Sequence, residues 1–283
     1  IFWLSLKLIL GQIDIVNNMP SLYELAKIEM DQDQNYDYFL QVDGHELPFP
    51  SGSVIVVGGR PGMGKTTLLL HLFLLLSEKY NQRQLYLSGD STATRLYQKI
   101  KSIVTRTPFE VLQLLGIDPI ESYPILTNEN CKIESIGRQW DQAKKLIRTS
   151  DAKFIFLDNI QLLFPQTATK QQYEANLRLL KELKYLATDH QKVIILASQL
   201  SRKLESRSSK KPKVTDFYPN EPLEEIADIV MLLFRPAYYG FNEGAGGEDI
   251  CNQAILSLVK SNYSALFEME IEFDKRIPCF NKL

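Results

Sequence analysis

The sequence is poor in cysteine, in charge of one sign and in long apolar runs, and each shortage argues against a class of protein. Cys131, Cys251 and Cys279 are the only three cysteines among 283 residues, they lie far apart, and no CxxC occurs. That argues against a disulfide scaffold or a zinc site and fits a reducing, cytoplasmic compartment. Lys and Arg number 32 against 34 Asp and Glu. That near balance argues against a protein that holds nucleic acid by bulk charge, although a local basic patch could do so. The apolar runs Ile1–Leu10 and Leu68–Leu76 fall well short of the roughly 20 residues that span a bilayer. The first lacks a convincing cleavage site and is expected to be a vector scar, an upstream remnant or a packing arm, with Met19 an alternative start. No internal repeat is visible.

What is present is a core-forming composition, 45% apolar and 23% charged, which excludes global disorder. Short β-branched or aromatic runs alternate with helical periods, the pattern of a parallel sheet flanked by helices. Strands are expected at Ser53–Val57, Gln84–Ser88, Lys153–Leu157, Lys192–Ala197 and Asp228–Phe234. Helices are expected at Lys65–Tyr80 and Thr92–Thr105, along the stripe Ile133, Ile136, Trp140, Ala143, Ile147, and along Tyr173, Leu177, Leu180, Ala187. Cys251–Val259 and Ala265–Phe273 read as an antiparallel pair. Residues 1–50 read as a leader with one short helix, Ser21–Met30, ahead of a single unit over 51–283. Ser201–Lys213 and the glycine-rich stretch Gly240–Gly247 read as mobile surface loops. His71, within the leucine run, and Trp140 read as packing residues, while Tyr238 and Tyr239 are left unassigned.

Gly59-Arg60-Pro61-Gly62-Met63-Gly64-Lys65-Thr66, followed by Thr67, matches G-x-x-x-x-G-K-[ST] in full. It follows an apolar run and opens a helical period, the context the motif requires. Glycines let backbone N–H groups close around phosphate oxygens at a helix N-terminus. Lys65 can then neutralise the β and γ phosphates, and the Thr66 hydroxyl can ligate Mg²⁺. Ligands of open parallel sheets sit beyond the carboxyl ends of the strands. Asp90, Asp158 and Gln199 each follow a different expected strand. Alone, each could be a helix cap or a turn residue. Together they are expected to converge on the triphosphate gripped by Lys65, with Asp158 the second-shell ligand of Mg²⁺.

These segments resemble the RecA-like ATPase domain of DnaB-family replicative helicases. The resemblance rests on GGRPGMGKTT, FIFLDNIQLL, SQLSRKLESR and LLFRPAYYG, and covers about Gly52 to Phe273. It implies an α/β P-loop NTPase fold with a C-terminal antiparallel hairpin, and a homo-hexamer that binds ATP between subunits and threads single-stranded DNA. It further implies that Gln199 senses the γ-phosphate. A loader or primase would be a further partner, and no membrane is implied. The family's amino-terminal domain, which meets primase and braces the ring, is expected to be missing from these residues. Two positions depart from the family pattern. Asp90 stands where the family has a glutamate base, one methylene further from the attacking water. In the terminal hairpin the family supplies a lysine and an arginine finger, whereas here Lys260 is followed at that spacing by Asn262. A trans arginine is worth roughly 10³–10⁵ in rate, so slow hydrolysis is expected unless another cation such as Arg235 substitutes.

The resemblance points the loops Phe164–Lys170 and Ser201–Lys213 into the central channel. The second carries Arg202, Lys203, Arg207, Lys210, Lys211 and Lys213 against one acid, Glu205. It suits contact with a phosphate backbone without reading sequence, while the plainer reading is a solvated charge run. Two further readings stay open: an ATP-gated DNA-binding accessory module that barely hydrolyses, and a RecA-like ATPase acting on protein partners.

Overall fold

The computed structural model describes residues 36–164, 171–244 and 246–281. Strands β1 (Phe39–Val42) and β2 (His45–Pro48) pair as a small antiparallel hairpin. Six strands then run parallel: β3 (Val54–Gly59), β4 (Gln84–Ser88), β5 (Cys131–Ser135), β6 (Phe154–Asp158), β7 (Val193–Gln199) and β8 (Ile229–Phe234). The sheet continues antiparallel through β9 (Gln253–Ser261), β10 (Phe267–Asp274) and β11 (Cys279–Asn281), in the order β11-β10-β9-β8-β3-β7-β6-β4-β5. Its helices are α1 (Lys65–Tyr80), α2 (Ala93–Thr105), α3 (Phe109–Leu114), α4 (Trp140–Thr149), α5 (Gln172–Asp189) and the single turn α6 (Leu223–Ile226).

Strands β3, β6 and β8 are buried at every position, as central parallel strands covered on both faces must be. Their side chains alternate between two cores. Ile55 and Val57 join Leu68, Leu72 and Phe73 of α1, while Val54 and Val56 join Leu179, Leu183 and Leu186 of α5. Helix α1 is buried on most sides, as its unbroken leucine run requires. The β1–β2 hairpin lies inside the stretch read from sequence as a leader. Its Leu40, Val42 and Leu47 belong to the same core as α1. Helix Ser21–Met30 and the run Ile1–Leu10 lie outside the described residues. Among the described residues no helix is long and apolar enough to cross a membrane.

The structure corrects two sequence expectations. Ile133 and Ile136 do not continue the stripe of α4, because Ile133 lies on the edge strand β5 between exposed Lys132 and Glu134. Gly137, at φ +57°, then turns the chain toward α4. A strand running into a helix mimicked one helical period. The second correction concerns Ser201–Lys213, which is built rather than open. Ser201 caps a 3₁₀ turn, Arg202–Ser206, by accepting from Lys203 N–H. Arg207 makes a bidentate pair with buried Asp216 at 2.8 and 2.7 Å. Planar fork-to-carboxylate pairing of this kind fixes direction as well as distance.

Candidate nucleotide site

Strand β3 ends at Gly59, and the chain wraps back to start α1 at Lys65. Gly62 (φ +80°) and Gly64 (φ +102°) take left-handed conformations that L side chains rarely adopt. At Gly64 a Cβ would also lie 3.1 Å from the ring of Phe280, so β11 packs directly on the loop. Lys65 is buried, and its Nζ donates to the carbonyls of Gly59 (2.8 Å) and Arg60 (3.2 Å). Burial pulls its ammonium down to about 8, against the opposing pull of Asp158. Asp158, at the end of β6, accepts from Tyr86 Oη at 2.9 Å and from the Thr66 hydroxyl. Burial still holds its carboxyl above the usual carboxylate range.

A lysine pointed at carbonyls and an incompletely compensated buried carboxylate form a site with too little charge of its own. A polyphosphate would compensate Lys65. A divalent cation would compensate Asp158, with the Thr66 hydroxyl as its neighbouring oxygen ligand. The residues present therefore fit Mg²⁺ and a nucleotide.

Asp90 sits on the exposed turn after β4, which is drawn against β6 by a hydrogen bond from Gly89 N–H to the Asp158 carbonyl at 2.7 Å. A Cβ on Gly89 would come within 2.8 Å of Leu162 and 3.1 Å of the Gly137 carbonyl, so a side chain there would have to push both aside. The Asp90 charge is close enough to act on both Lys65 and Asp158. Gln199 is the last residue of β7 and stands directly opposite Gly59 in the parallel register. Lys65, Thr66, Asp90, Asp158 and Gln199 thus occupy one rim of the sheet.

Lys260 is not brought to that rim. Strand β9 runs antiparallel to β8, so Lys260 pairs with Val230 near the start of β8, while Leu232 lies beside Gly58. Lys260 Nζ donates to the Glu224 carbonyl at 2.7 Å, and Asn262 N–H to that of Asp228 at 3.2 Å. Arg235 does reach the P-loop, donating to the Gly62 carbonyl at 3.2 Å from a position 3.7 Å over the Phe273 ring. Tyr238 lies against Gly62, and Tyr239 stacks on Phe234. His71 is a packed residue: its Nε2 accepts from Phe280 N–H at 3.1 Å, and burial lowers it to about 4.

Of the six basic-loop residues, Arg207 is occupied by Asp216, and Lys211 Nζ bonds Glu268 at 2.7 Å. Lys210 donates to the Glu205 carbonyl. Arg202, Lys203 and Lys213 are exposed. Of the other expected channel loop, residues 165–170 lie outside the described residues.

Residues 38–282 match the family described as DnaB-like helicase C terminal domain. The chain belongs to that family. It is 23% identical over 282 residues to a probable plasmid replicative DNA helicase of Chlamydia psittaci, covering 93% of this chain and 55% of that one. It is 28% identical over 215 residues to the replicative DNA helicase DnaB of Helicobacter pylori, covering 71% and 43%. The chain thus spans about half the length of the curated relatives it matches. Two solved structures share the fold. One is a DnaB-like replicative helicase studied with primase (TM-score 0.78, 19% identity, 99% of this chain and 71% of that one). The other is an ATPase domain (TM-score 0.72, 21% identity, 94% of this chain and 100% of that one). A RecA-like ATPase fold with a mostly parallel sheet is therefore this DnaB-like domain's architecture.

Sequence reasoning missed two members of the site's surroundings, Gln161 and Glu221, and the bracing contacts of Arg60. Arg60, inside the P-loop, ties it to the chain just past the end of β7 through the Leu200 carbonyl (2.8 Å) and to Glu205 (2.8 Å). The clue available was that Glu205 is the single acid in a basic loop. Half-buried Gln161 and buried Glu221 form a hydrogen-bonded pair behind Gln199. Burial pushes the Glu221 carboxyl up to about 7. Its only trace in the sequence was the acid-rich, base-free stretch Val214–Phe234.

Proposed function

We propose that this chain is the ATP-driven motor portion of a replicative DNA helicase, acting on single-stranded DNA as a homo-hexamer with nucleotide between neighbouring copies. The observation that carries the proposal is the division of the chemistry between two rims. Lys65, Thr66, Asp90, Asp158 and Gln199 share one end of the sheet, while Lys260 and Asn262 lie at the other. A single chain cannot close that gap, but a second copy can present its far rim to the first.

In this reading the backbone from Gly59 to Thr67 and Lys65 hold the phosphates. Thr66 and Asp158 would hold Mg²⁺, whose charge offsets that of the β and γ oxygens. Asp90 orients and deprotonates the attacking water, through a second water where its shorter side chain falls short. Gln199 contacts the γ-phosphate. Arg202, Lys203 and Lys213 offer charge to the DNA backbone. A loader or primase as partner and a cytoplasmic site of action belong to the same reading.

A second reading, an ATP-gated DNA-binding module with little hydrolysis, is favoured by the presence in one chain of both Asp90 and Asn262. Phosphate release, measured with and without single-stranded DNA over a range of protein concentrations, separates the two. The motor reading expects DNA to stimulate release, and Lys65→Ala to abolish both nucleotide binding and turnover. ATP binding without DNA-stimulated turnover at any concentration would leave the accessory module.

A further inference from the structure

Behind Gln199 lies a polar cluster that the nucleotide chemistry does not use. Gln161 lies in the 3₁₀ turn Ile160–Leu162, three residues after Asp158. Its Oε1 accepts from Gln199 N–H at 3.2 Å, and its Nε2 donates to Ser198 Oγ at 2.8 Å and to Glu221 Oε2 at 2.6 Å. A primary amide has two N–H donors and one carbonyl acceptor, so both ends of this one are engaged. Ser198 is fully buried, and Glu221 is only 7% exposed. The neighbouring Asn220 carbonyl accepts from Asn176 Nδ2 on α5 at 2.7 Å, which anchors the segment that carries Glu221. A buried carboxylate is costly unless it is hydrogen-bonded.

We propose that Gln161 is a positioning residue for Gln199, and that Glu221 holds Gln161 in that role. The γ-phosphate contact of Gln199 is thereby tied to the turn that follows Asp158. The inference rests on the reading of Gln199 as the γ-phosphate contact. An apolar side chain at 161 leaves the Gln199 backbone and the Glu221 carboxylate without their partner, while Lys65 and the P-loop stay as they are. The signature is therefore lost selectivity for a nucleotide carrying a γ-phosphate, with ADP affinity kept.

The test is calorimetric titration of the full chain with Mg²⁺·ATPγS and with Mg²⁺·ADP, alongside thermal melts. Gln161→Leu and Glu221→Leu are each expected to lower the ATPγS-to-ADP affinity ratio about tenfold, as for loss of one hydrogen bond, with ADP affinity held within about twofold. Glu221→Gln, which keeps an acceptor, is expected to retain the wild-type ratio. In a Gln199→Ala background, Gln161→Leu should add nothing further. Should a leucine variant melt before it can be titrated, the exchanged pair Gln161→Glu with Glu221→Gln takes its place. The single change Gln161→Glu sets two carboxylates together and lowers the ratio, and the exchanged pair restores it. A wild-type ratio in both leucine variants, or an exchanged pair no better than Gln161→Glu alone, overturns the relay. A wild-type ratio in Gln199→Ala overturns the reading of Gln199, and the relay with it.

Discussion

The two rims of the sheet differ in what their charges have to work on. At the rim where the parallel strands end, Lys65 and Asp158 are buried, held by oxygens of their own chain, and pulled toward their neutral forms. At the opposite rim Lys260 rests on a backbone carbonyl, and Asn262 carries no charge. The first is a site short of a ligand's charge. The second is a surface from which the strongest cation of the family pattern is missing. In the proposed motor, binding and rate-setting would therefore be separable, because one chain holds the two sets of groups apart.

The largest test of that separation restores the missing cation. Asn262→Arg, combined with Asp90→Glu, is expected to raise turnover by up to about 10³-fold in the assembled protein, while nucleotide affinity of the dilute chain stays unchanged. Steady-state phosphate release against protein concentration reads both. No gain from the pair would mean that the far rim does not limit the rate.

A smaller effect distinguishes structural from available charge in the basic loop. Arg207→Ala leaves buried Asp216 without its partner and should cost about 2 kcal/mol, reduced from a fully buried pair because the arginine side chain is 31% exposed. It should show as a lower melting temperature. Replacing Arg202, Lys203 and Lys213 by Gln should leave the melt unchanged. It should weaken single-stranded DNA binding uniformly, with the salt slope reduced by roughly 0.7 for each phosphate no longer neutralised. If Arg207→Ala behaves like these three, its pairing with Asp216 is not structural.

The smallest effects are in the pH dependence of stability. His71 titrates near 4 when folded, below its ordinary 6.5. The unfolded chain therefore takes up the proton first, and stability present above about 6.5 is lost as pH falls toward 4. Glu221 titrates near 7 when folded, above its ordinary 4.5. Here the folded chain keeps a proton the unfolded chain releases, so stability falls as pH rises from about 4.5 through 7. The two slopes oppose each other between about pH 5 and 6.5 and nearly cancel, so the melting temperature should stay level there and dip slightly toward pH 7. Glu221→Gln should unmask a loss on the order of 1–2 kcal/mol as pH falls from 6.5 to 5, and His71→Gln a loss of similar size as pH rises from 5 to 7. A slope that the substitution of its opponent does not unmask assigns the titration elsewhere.

The sequence alone carried what depends on neighbours along the chain. The P-loop, its helix, the apolar runs of β3, β6, β7 and β8 and the terminal antiparallel pair were legible because each is a contiguous pattern set by local geometry. Where one period ran into another, as at Ile133 and Ile136, the local pattern misled. The tertiary structure decided which strand ends lie side by side. It placed Gln199 opposite Gly59, set Gly89 against Asp158, sent Lys260 to the far rim, paired Arg207 with Asp216 and buried Glu221 behind Gln161. The physical reason is that strand order and direction are fixed by packing of the whole sheet. Hydrophobic periodicity says which face of a strand is buried and nothing about which strand lies beside it.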